Sequence, residues 1–164
     1  MRILVLGETH GSRQDLLALL NYETYDRVIF LGNYVSDFES LGVKFKFPPI
    51  VVRGLCDPFH NKPYDVRTKI GDLMFHITNG FKYEVKEYGV VNLVEYAKNR
   101  GINCVLYADS PNDKILFQNG IWYINPGAFG ITHHGRRTYA ILELDKFVLK
   151  AKIHEFAFEN MWLL

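Results

Sequence analysis

Short apolar runs recur along the first two thirds of the chain and predict β-strands separated by helices. The predicted strands are Arg2–Leu6, Arg27–Leu31, Ile50–Arg53, Leu73–Thr78 and Asn103–Tyr107. Most of these runs are rich in Ile, Val, Leu and Phe, which is typical of strands that are covered on both faces. Apolar residues at helical spacing predict helices over Arg13–Leu20 and Val90–Lys98. This part of the chain therefore has the order strand–helix–strand.

From about residue 114 onward the pattern changes to strands joined by short turns. The predicted strands are Lys114–Gln118, Ile121–Ile124, Thr138–Leu144 and Phe147–His154. Between the first two lies Asn119-Gly120, a dipeptide that strongly favours a two-residue hairpin turn. A chain that begins as strand–helix–strand and ends in antiparallel hairpins fits an α/β sandwich, in which two sheets pack face to face between helices.

The composition is that of an ordinary globular protein. Of 164 residues 48% are hydrophobic and 23% charged, so we expect a single domain over residues 1–164. The 19 Lys and Arg balance 18 Asp and Glu, which disfavours a general role in binding nucleic acid or membranes. There is no apolar run of about 18 residues and no signal-peptide pattern. Cys56 and Cys104 lie near apolar residues and are expected to be buried thiols, so we expect a reduced, cytoplasmic protein.

Polar residues stand next to glycines at the ends of the predicted strands. The glycines are Gly7, Gly32, Gly54, Gly80 and Gly127. The polar neighbours are Glu8, His10, Asn33, Asp57 and Asn79. Loops are often rich in Gly and Asn for purely structural reasons. However, the carboxyl ends of neighbouring strands converge on one crevice in an open α/β sheet, so five such loops predict a common site.

Six short strings, taken in order, resemble the calcineurin-like metallophosphoesterase superfamily. They are GETHGS, FLGNYVSD, VRGLCD, ITNGFKY, LYADSP and INPGAFG. Their spacing over residues 1 to about 150 is most similar to the small bacterial and archaeal phosphodiesterase branch, which includes the Vps29-like proteins. The resemblance implies a four-layer α/β/β/α sandwich of two mixed β-sheets. It also implies two metal ions about 3.5–4 Å apart at the strand ends.

The resemblance places the family's metal ligands on this chain, where most of them are substituted. The positions that keep a polar side chain are Glu8, His10, Asn33, Asn79 and Asp109. Two further positions carry Leu55 and Pro111, which have no donor atom in their side chains. His10 alone is of the family's type, so we interpret the set as vestigial. The resemblance then implies a phosphoesterase whose two-metal centre is largely lost and whose catalysis is weak or absent.

The substitutions also bear on the cofactor. Two cations held so close together need an anionic bridge, and the amide at Asn33 carries no charge. The imidazole ligands that suit Mn, Fe or Zn are replaced at Asn79 and Asp109. We therefore expect no cofactor. The alternative is a divergent phosphodiesterase or phosphatase that uses one Mg²⁺ or Ca²⁺, held by the remaining oxygen atoms. In an empty cleft, His10 or Lys82 would neutralise the carboxylates.

Basic residues after the last string offer a second kind of site. His133, His134 and Arg136 follow INPGAFG, and their side chains suit a phosphate or a carboxylate. A small phosphorylated ligand is therefore a candidate, although the same residues also fit a solvated loop. His60 is a weaker candidate for the cleft. His76 lies within a predicted strand and is expected to be structural.

The end of the chain, at about residues 155–164, is an apolar tail. Its apolar side chains are Phe156, Phe158, Met161, Trp162, Leu163 and Leu164. Such a tail completes the core or forms an interface with a second copy or a partner protein. Three functions remain open: a non-catalytic binding protein, a divergent single-metal hydrolase and a structural oligomer. The Vps29-like resemblance implies a scaffold that presents a surface to partners, which favours the first.

Overall fold

The computed structural model describes residues 1–110, 112–130 and 135–157, which form ten strands and a few short helices. The strands are β1 (Arg2–Leu6), β2 (Arg27–Phe30), β3 (Ile50–Val51), β4 (Asp65–Ile70), β5 (Leu73–Thr78), β6 (Cys104–Leu106), β7 (Lys114–Gln118), β8 (Ile121–Asn125), β9 (Thr138–Asp145) and β10 (Val148–Glu155). The α-helices are α1 (Arg13–Tyr22), α2 (Val35–Glu39), α3 (Val85–Tyr88) and α4 (Val91–Ala97). A 3₁₀ helix covers Phe81–Tyr83.

The strands form two mixed sheets of five strands each. The first sheet has the order β10-β9-β1-β2-β3, in which β1 pairs parallel with β2 and antiparallel with β9. Val5 lies opposite Ala140, so this sheet joins the two ends of the described chain. The second sheet has the order β4-β5-β6-β8-β7 and uses only the segment 65–125.

Three apolar interfaces hold these layers together. Ile3 and Val5 of the first sheet and Ile77 and Leu106 of the second are fully buried in one cluster between the sheets. A second cluster packs α1 and α2 on the outer face of the first sheet. A third packs α3 and α4 on the outer face of the second. Each large side chain buried in this way stabilises the fold by about 1.5–3 kcal/mol. The predicted four-layer α/β/β/α sandwich is therefore confirmed.

All nine predicted strands and both predicted helices are present, with ends shifted by no more than two residues. The turn at Asn119-Gly120 is confirmed, because it joins β7 to β8 with both residues at positive φ. The prediction lacks β4, an edge strand, and the short helices α2 and α3. One detail is wrong. Cys104 is buried as expected, but Cys56 is exposed, because it lies in the loop after β3.

Some predictions fall on residues outside the described ranges. These residues are Pro111, His133, His134 and, in the apolar tail, 158–164. Phe156, at the beginning of the tail, is buried and packs on Phe129 with the ring centroids 4.9 Å apart. Across the described ranges, every helix is too short or too polar to span a bilayer.

Candidate functional site

The loops that follow β2, β3 and β5 meet at one edge of the sandwich. Gly54, after β3, packs directly against Asn33, after β2, and Asn79, after β5. A Cβ at position 54 would overlap the amide oxygen of Asn33 and would lie 2.8 Å from Cγ of Asn79. Glycine permits this close approach because it has no side chain. The convergence of strand ends that the sequence predicts is therefore present here, and we call this region the cleft.

Glu8 contacts two other predicted site residues in the cleft, His10 and Asn33. Its Oε2 lies 2.7 Å from Nε2 of His10, and its Oε1 accepts a 3.1 Å hydrogen bond from Nδ2 of Asn33. Its backbone carbonyl accepts the N–H groups of Phe129 and Gly130 at 2.9 and 2.8 Å. These bonds hold the loop after β1 against the loop after β8. Both carboxylate oxygens of Glu8 are thus engaged by neighbouring side chains.

The orientation of the Asn33 amide follows from its two partners. The backbone N–H of Cys56 lies 3.0 Å from Oδ1 of Asn33, and a backbone N–H can only donate. The amide oxygen must therefore face Cys56, and the amide nitrogen must face Glu8. Position 33 consequently presents N–H donors, rather than an oxygen atom, to the Glu8 carboxylate.

Asn79 is buried, and only one of the two polar atoms of its side-chain amide has a hydrogen-bond partner among the described residues. Its Nδ2 donates a 2.8 Å hydrogen bond to the carbonyl of Leu31, which fixes the amide in the same way. Its Oδ1 is buried and has no hydrogen-bond partner among the described residues. A buried acceptor without a partner costs about 1–3 kcal/mol. This oxygen is therefore suited to accept a hydrogen bond from a water or a ligand, or to contact a cation.

Asp57 has a positioning role at the cleft. It is buried, and its two carboxylate oxygens accept the N–H groups of Val35 at 3.0 Å and Gly54 at 3.1 Å. The bond from Val35 ties the loop after β3 to the beginning of α2, and the bond from Gly54 lies within that loop. The sequence places Asp57 among the site residues, and the structure brings it there with both oxygens already bonded to the backbone.

Asp37 is a positioning residue that the sequence analysis missed. Its Oδ2 accepts hydrogen bonds from the Thr9 hydroxyl and from the Gly11 N–H, both at 2.8 Å. Together they brace the loop that carries His10, whose φ of 47° lies in the left-handed region. The string FLGNYVSD contains Asp37, but its helix, α2, has only five residues and too few turns to show a helical pattern.

Asp109 lies in the loop after β6 and is electrostatically coupled to Glu8. Partial burial raises the pKa of Asp109 to about 6, and the carboxylates of Glu8 and Glu87 contribute to this increase. Lys86 acts in the opposite direction and lowers the pKa of Asp109. The position that the family resemblance assigns to a metal ligand thus holds a carboxyl group that takes up a proton near pH 6.

Asp109→Asn is expected to raise the melting temperature at about pH 8 and to lose this advantage as the pH falls towards about 4. A carboxyl group whose pKa is higher in the folded protein stabilises the fold while it is protonated. This contribution is lost as the pH rises from 3.8 through about 6. Asparagine also tolerates the φ of 59° at this position. Calorimetric melting of both proteins across this pH range measures the difference. A variant that melts lower at high pH would show that the charged carboxylate makes a stabilising contact.

Two other basic candidates have partners outside the cleft. Nε2 of His60 lies 3.0 Å from Oε2 of Glu39, on α2. The guanidinium of Arg136 lies 3.3 Å from a carboxylate oxygen of Asp113 and 3.5 Å from one of Glu155. The structure therefore pairs the Arg136 charge with carboxylates, and an anion at that position would have to compete with them.

The remaining candidates are distributed as follows. His76 is buried in β5, where its Nε2 lies 3.1 Å from the Tyr83 hydroxyl, and burial lowers its pKa. It has the structural surroundings that the sequence predicts. Leu55 is 67% exposed in the loop after β3. The anion-binding prediction for His133 and His134 concerns residues that the structure does not describe.

The donor atoms at the cleft are few. Within residues 1–110, 112–130 and 135–157, no three side chains of His, Cys, Asp or Glu are grouped so that they could hold a metal ion. The cleft instead combines a carboxylate hydrogen-bonded to an imidazole, an amide N–H, and the buried amide oxygen of Asn79. Such a set can bind a ligand that offers both hydrogen-bond donors and acceptors.

Comparison with known sequences links the whole cleft to one family. The sequence profile of the calcineurin-like phosphoesterase superfamily domain matches residues 1–146. This range contains all the loops that build the cleft. No match is found among curated protein sequences.

Solved structures of similar fold come from several organisms. A Vps29 from Chaetomium thermophilum superposes with a TM-score of 0.77 at 19% identity, covering 95% of this chain and 89% of that one. A predicted phosphoesterase from Streptococcus pneumoniae gives a TM-score of 0.74 at 19% identity, with 94% and 88% coverage. An archaeal phosphodiesterase gives 0.67 at 20% identity, with 94% and 100% coverage. At these identities the similarity shows a shared fold.

Proposed function

The chain belongs to the calcineurin-like phosphoesterase superfamily, and we propose that it acts there by binding a ligand or a partner protein, with weak or no hydrolysis. The observation that carries the proposal is the hydrogen bond from the Asn33 amide to the Glu8 carboxylate. The family resemblance assigns the anionic bridge between two metal ions to position 33. An N–H donor at that position repels a cation, because it presents positive partial charge.

The other donor atoms support the same conclusion. A family-type centre needs imidazole or carboxylate ligands on both cations. Leu55 offers none, the amide nitrogen of Asn79 is bonded to a backbone carbonyl, and Asp109 is protonated more readily than an ordinary carboxyl. The residues present therefore do not fit a two-metal centre.

The binding partner in this proposal is either a small phosphorylated molecule or another protein. The resemblance to the Vps29-like branch supports the second, since that branch presents this scaffold to partners. Within the apolar tail at residues 155–164, Phe156 packs in the core. The apolar residues after 157, which lie outside the described ranges, either complete the core or form the contact surface for a partner or a second copy of the chain.

A second candidate function is hydrolysis with a single hard cation. One observation favours it: Oδ1 of Asn79 is a buried oxygen that has no hydrogen-bond partner within the described ranges, and amide oxygens are ligands that Mg²⁺ and Ca²⁺ prefer. Glu8 and Asp109 could supply charge nearby. This candidate requires activity that depends on Mg²⁺ and that is lost when Asn79 is replaced by Leu.

The purified protein is expected to carry less than about one transition metal ion per two chains, because metal ligands act as a set and most of the set is missing. It should hydrolyse bis-p-nitrophenyl phosphate no faster than buffer containing Mn²⁺. Elemental analysis and a colorimetric assay measure both quantities. His10→Ala is the matched control, since it removes the one ligand residue that, by the family resemblance, this chain retains.

Two outcomes would contradict the proposal. The first is a pair of tightly held metal ions in the purified protein. The second is robust turnover that His10→Ala abolishes. Turnover that needs Mg²⁺ and disappears in Asn79→Leu would favour the single-cation hydrolase instead.

A further inference from the structure

β7 is the last strand of the second sheet, so within the described ranges one of its two sides has no neighbouring strand. Its residues are exposed except for Leu116, which is partly buried. Two of the exposed side chains are large and apolar, since Ile115 is 36% exposed and Phe117 is 57% exposed. We call the open side of β7 the β7 edge.

The other edge strands of the two sheets are protected against pairing with a further strand. Charged residues alternate along β4, lysines lie within β10, and β3 has only two residues. Charged side chains and short length are devices that keep an edge strand from pairing with another chain. β7 has a single charged residue, Lys114, at its first position, and its remaining four residues are uncharged. The β7 edge is therefore the least protected edge of the described sheets.

The outward-facing backbone groups of the β7 edge belong to Ile115 and Phe117. On β8, the N–H of Trp122 donates to the carbonyl of Asn103, so Trp122 turns its backbone groups away from β7. Phe117 lies opposite Trp122 in the antiparallel ladder. Opposite residues in such a ladder either bond to each other or both face outward, and this choice alternates along the strand. Phe117, and Ile115 two residues before it, therefore direct their N–H and C=O groups outward from the sheet.

The sequence of β7 is complementary to itself when two copies lie antiparallel and centred on Leu116. Ile115 of each copy then lies opposite Phe117 of the other, and each such pair can exchange two backbone hydrogen bonds. The side chains of these two residues also meet on one face, and pairs of an aromatic and a β-branched residue stabilise sheets. Lys114 lies opposite the uncharged Gln118, so this register brings no like charges together.

We infer that the β7 edge joins two copies of this chain in a symmetric dimer, in which their second sheets form one continuous sheet. A second copy is the occupant that the register favours, because two-fold symmetry supplies both the matching residues and the antiparallel direction. The contact is small, and interfaces of less than about 1,200 Å² are typical of weak complexes, so we expect a dissociation constant on the order of 10–100 μM. The inference goes beyond the proposed function, since it uses neither the cleft nor the apolar tail.

Sedimentation equilibrium of the full chain from about 5 to 500 μM tests for the dimer. Phe117→Lys is expected to weaken association by about tenfold or more, because symmetry places the new charge twice at the interface, each time opposite an apolar residue. Phe147→Lys is the matched control. Phe147 is 71% exposed in the turn between β9 and β10, away from the β7 edge, and this variant should associate like the unaltered protein.

Cross-linking tests the register in a Cys56→Ser background, which removes the exposed thiol. At Leu116→Cys the two Cα atoms would lie about 4.5 Å apart on the two-fold axis, a distance that a disulfide can span, so copper phenanthroline should link the chains. Gln118→Cys is the matched control, since its two copies would lie about 13 Å apart along the strands and should not link. A mixture of Gln118→Cys and Lys114→Cys chains should link, because these positions are opposite each other in the register.

A monomer at every concentration would overturn the inference. A dimer that Phe117→Lys leaves unchanged would also overturn it and would place the contact on another surface, such as residues 158–164. Phe117 packs on Trp122 with ring centroids 4.7 Å apart, so Phe117→Lys can lose stability of its own. In that case the mixed cross-link decides, because Lys114 and Gln118 are both exposed. Linking of Gln118→Cys alone as readily as the mixture would contradict the proposed register and overturn the inference.

Discussion

Restoring the family's ligand types at six positions together is expected to convert this chain into one that binds two divalent metal ions and hydrolyses bis-p-nitrophenyl phosphate. The substitutions are Glu8→Asp, Asn33→Asp, Leu55→Asn, Asn79→His, Asp109→His and Pro111→His. The sandwich and the convergence of its strand ends are present already, so the change supplies donor atoms to an existing scaffold. With Mn²⁺ added, hydrolysis should exceed that of the unaltered protein on the order of a hundredfold or more. Elemental analysis and the colorimetric assay measure the two effects.

The single variant Asn33→Asp is the control for this experiment. It places a carboxylate 3.1 Å from the one of Glu8, where an amide N–H now donates. Like charges at this distance repel each other. Relative to the unaltered protein, the melting temperature of the variant should therefore be lower at about pH 8, where both carboxylates are charged, than at about pH 5. If this single change restored two bound metal ions, our account of the other five positions would be wrong.

Gly7→Ala is expected to lower the stability of the protein by about 3 kcal/mol or more, because overpacking against rigid backbone cannot relax cheaply. A Cβ at Gly7 would overlap the carbonyl oxygen of Gly127. Gly7 directly follows β1 and precedes Glu8, so the clash would also displace the loop that carries the carboxylate. For a chain of this length the melting temperature should fall by roughly 6–12 °C.

Gly11→Ala, four residues further on, is the matched control. A Cβ at Gly11 meets nothing within 4 Å, but its φ of 81° is left-handed. The expected cost is therefore only the backbone strain, about 1–2 kcal/mol. Urea and thermal unfolding of both variants measure the difference. Equal losses would mean that the approach of Gly7 to Gly127 contributes nothing to stability.

Most of the fold can be predicted from the sequence because its central strands are continuous apolar runs. β1, for example, is buried at four of its five positions, and no charged residue interrupts it after Arg2. β4 could not be predicted in the same way. As an edge strand it is covered on one face, and the charged residues Asp65, Arg67 and Lys69 alternate with uncharged ones, of which only Val66 and Ile70 are apolar. Charges on an edge strand protect it from pairing with another chain, and they also hide its apolar pattern.

Several residues of the candidate site are predictable from the sequence, but Asp37 and the hydrogen bonds of the site are not. The strings place Glu8, His10 and Asn33 near one another, and the structure joins them directly. Which atom of Asn33 faces Glu8 depends on the backbone N–H of Cys56, whose position is set by the fold of another loop.

The order of strands in the first sheet has a consequence for the synthesis of this protein. The second sheet uses a continuous segment, so its strands can pair as soon as that segment leaves the ribosome. β1 must wait for β9, which is made more than a hundred residues later. Closing so long a loop slows folding more than it lowers stability. Glu8 also relies on the N–H groups of Phe129 and Gly130, so a nascent chain cannot complete the cleft until residue 130 has been translated.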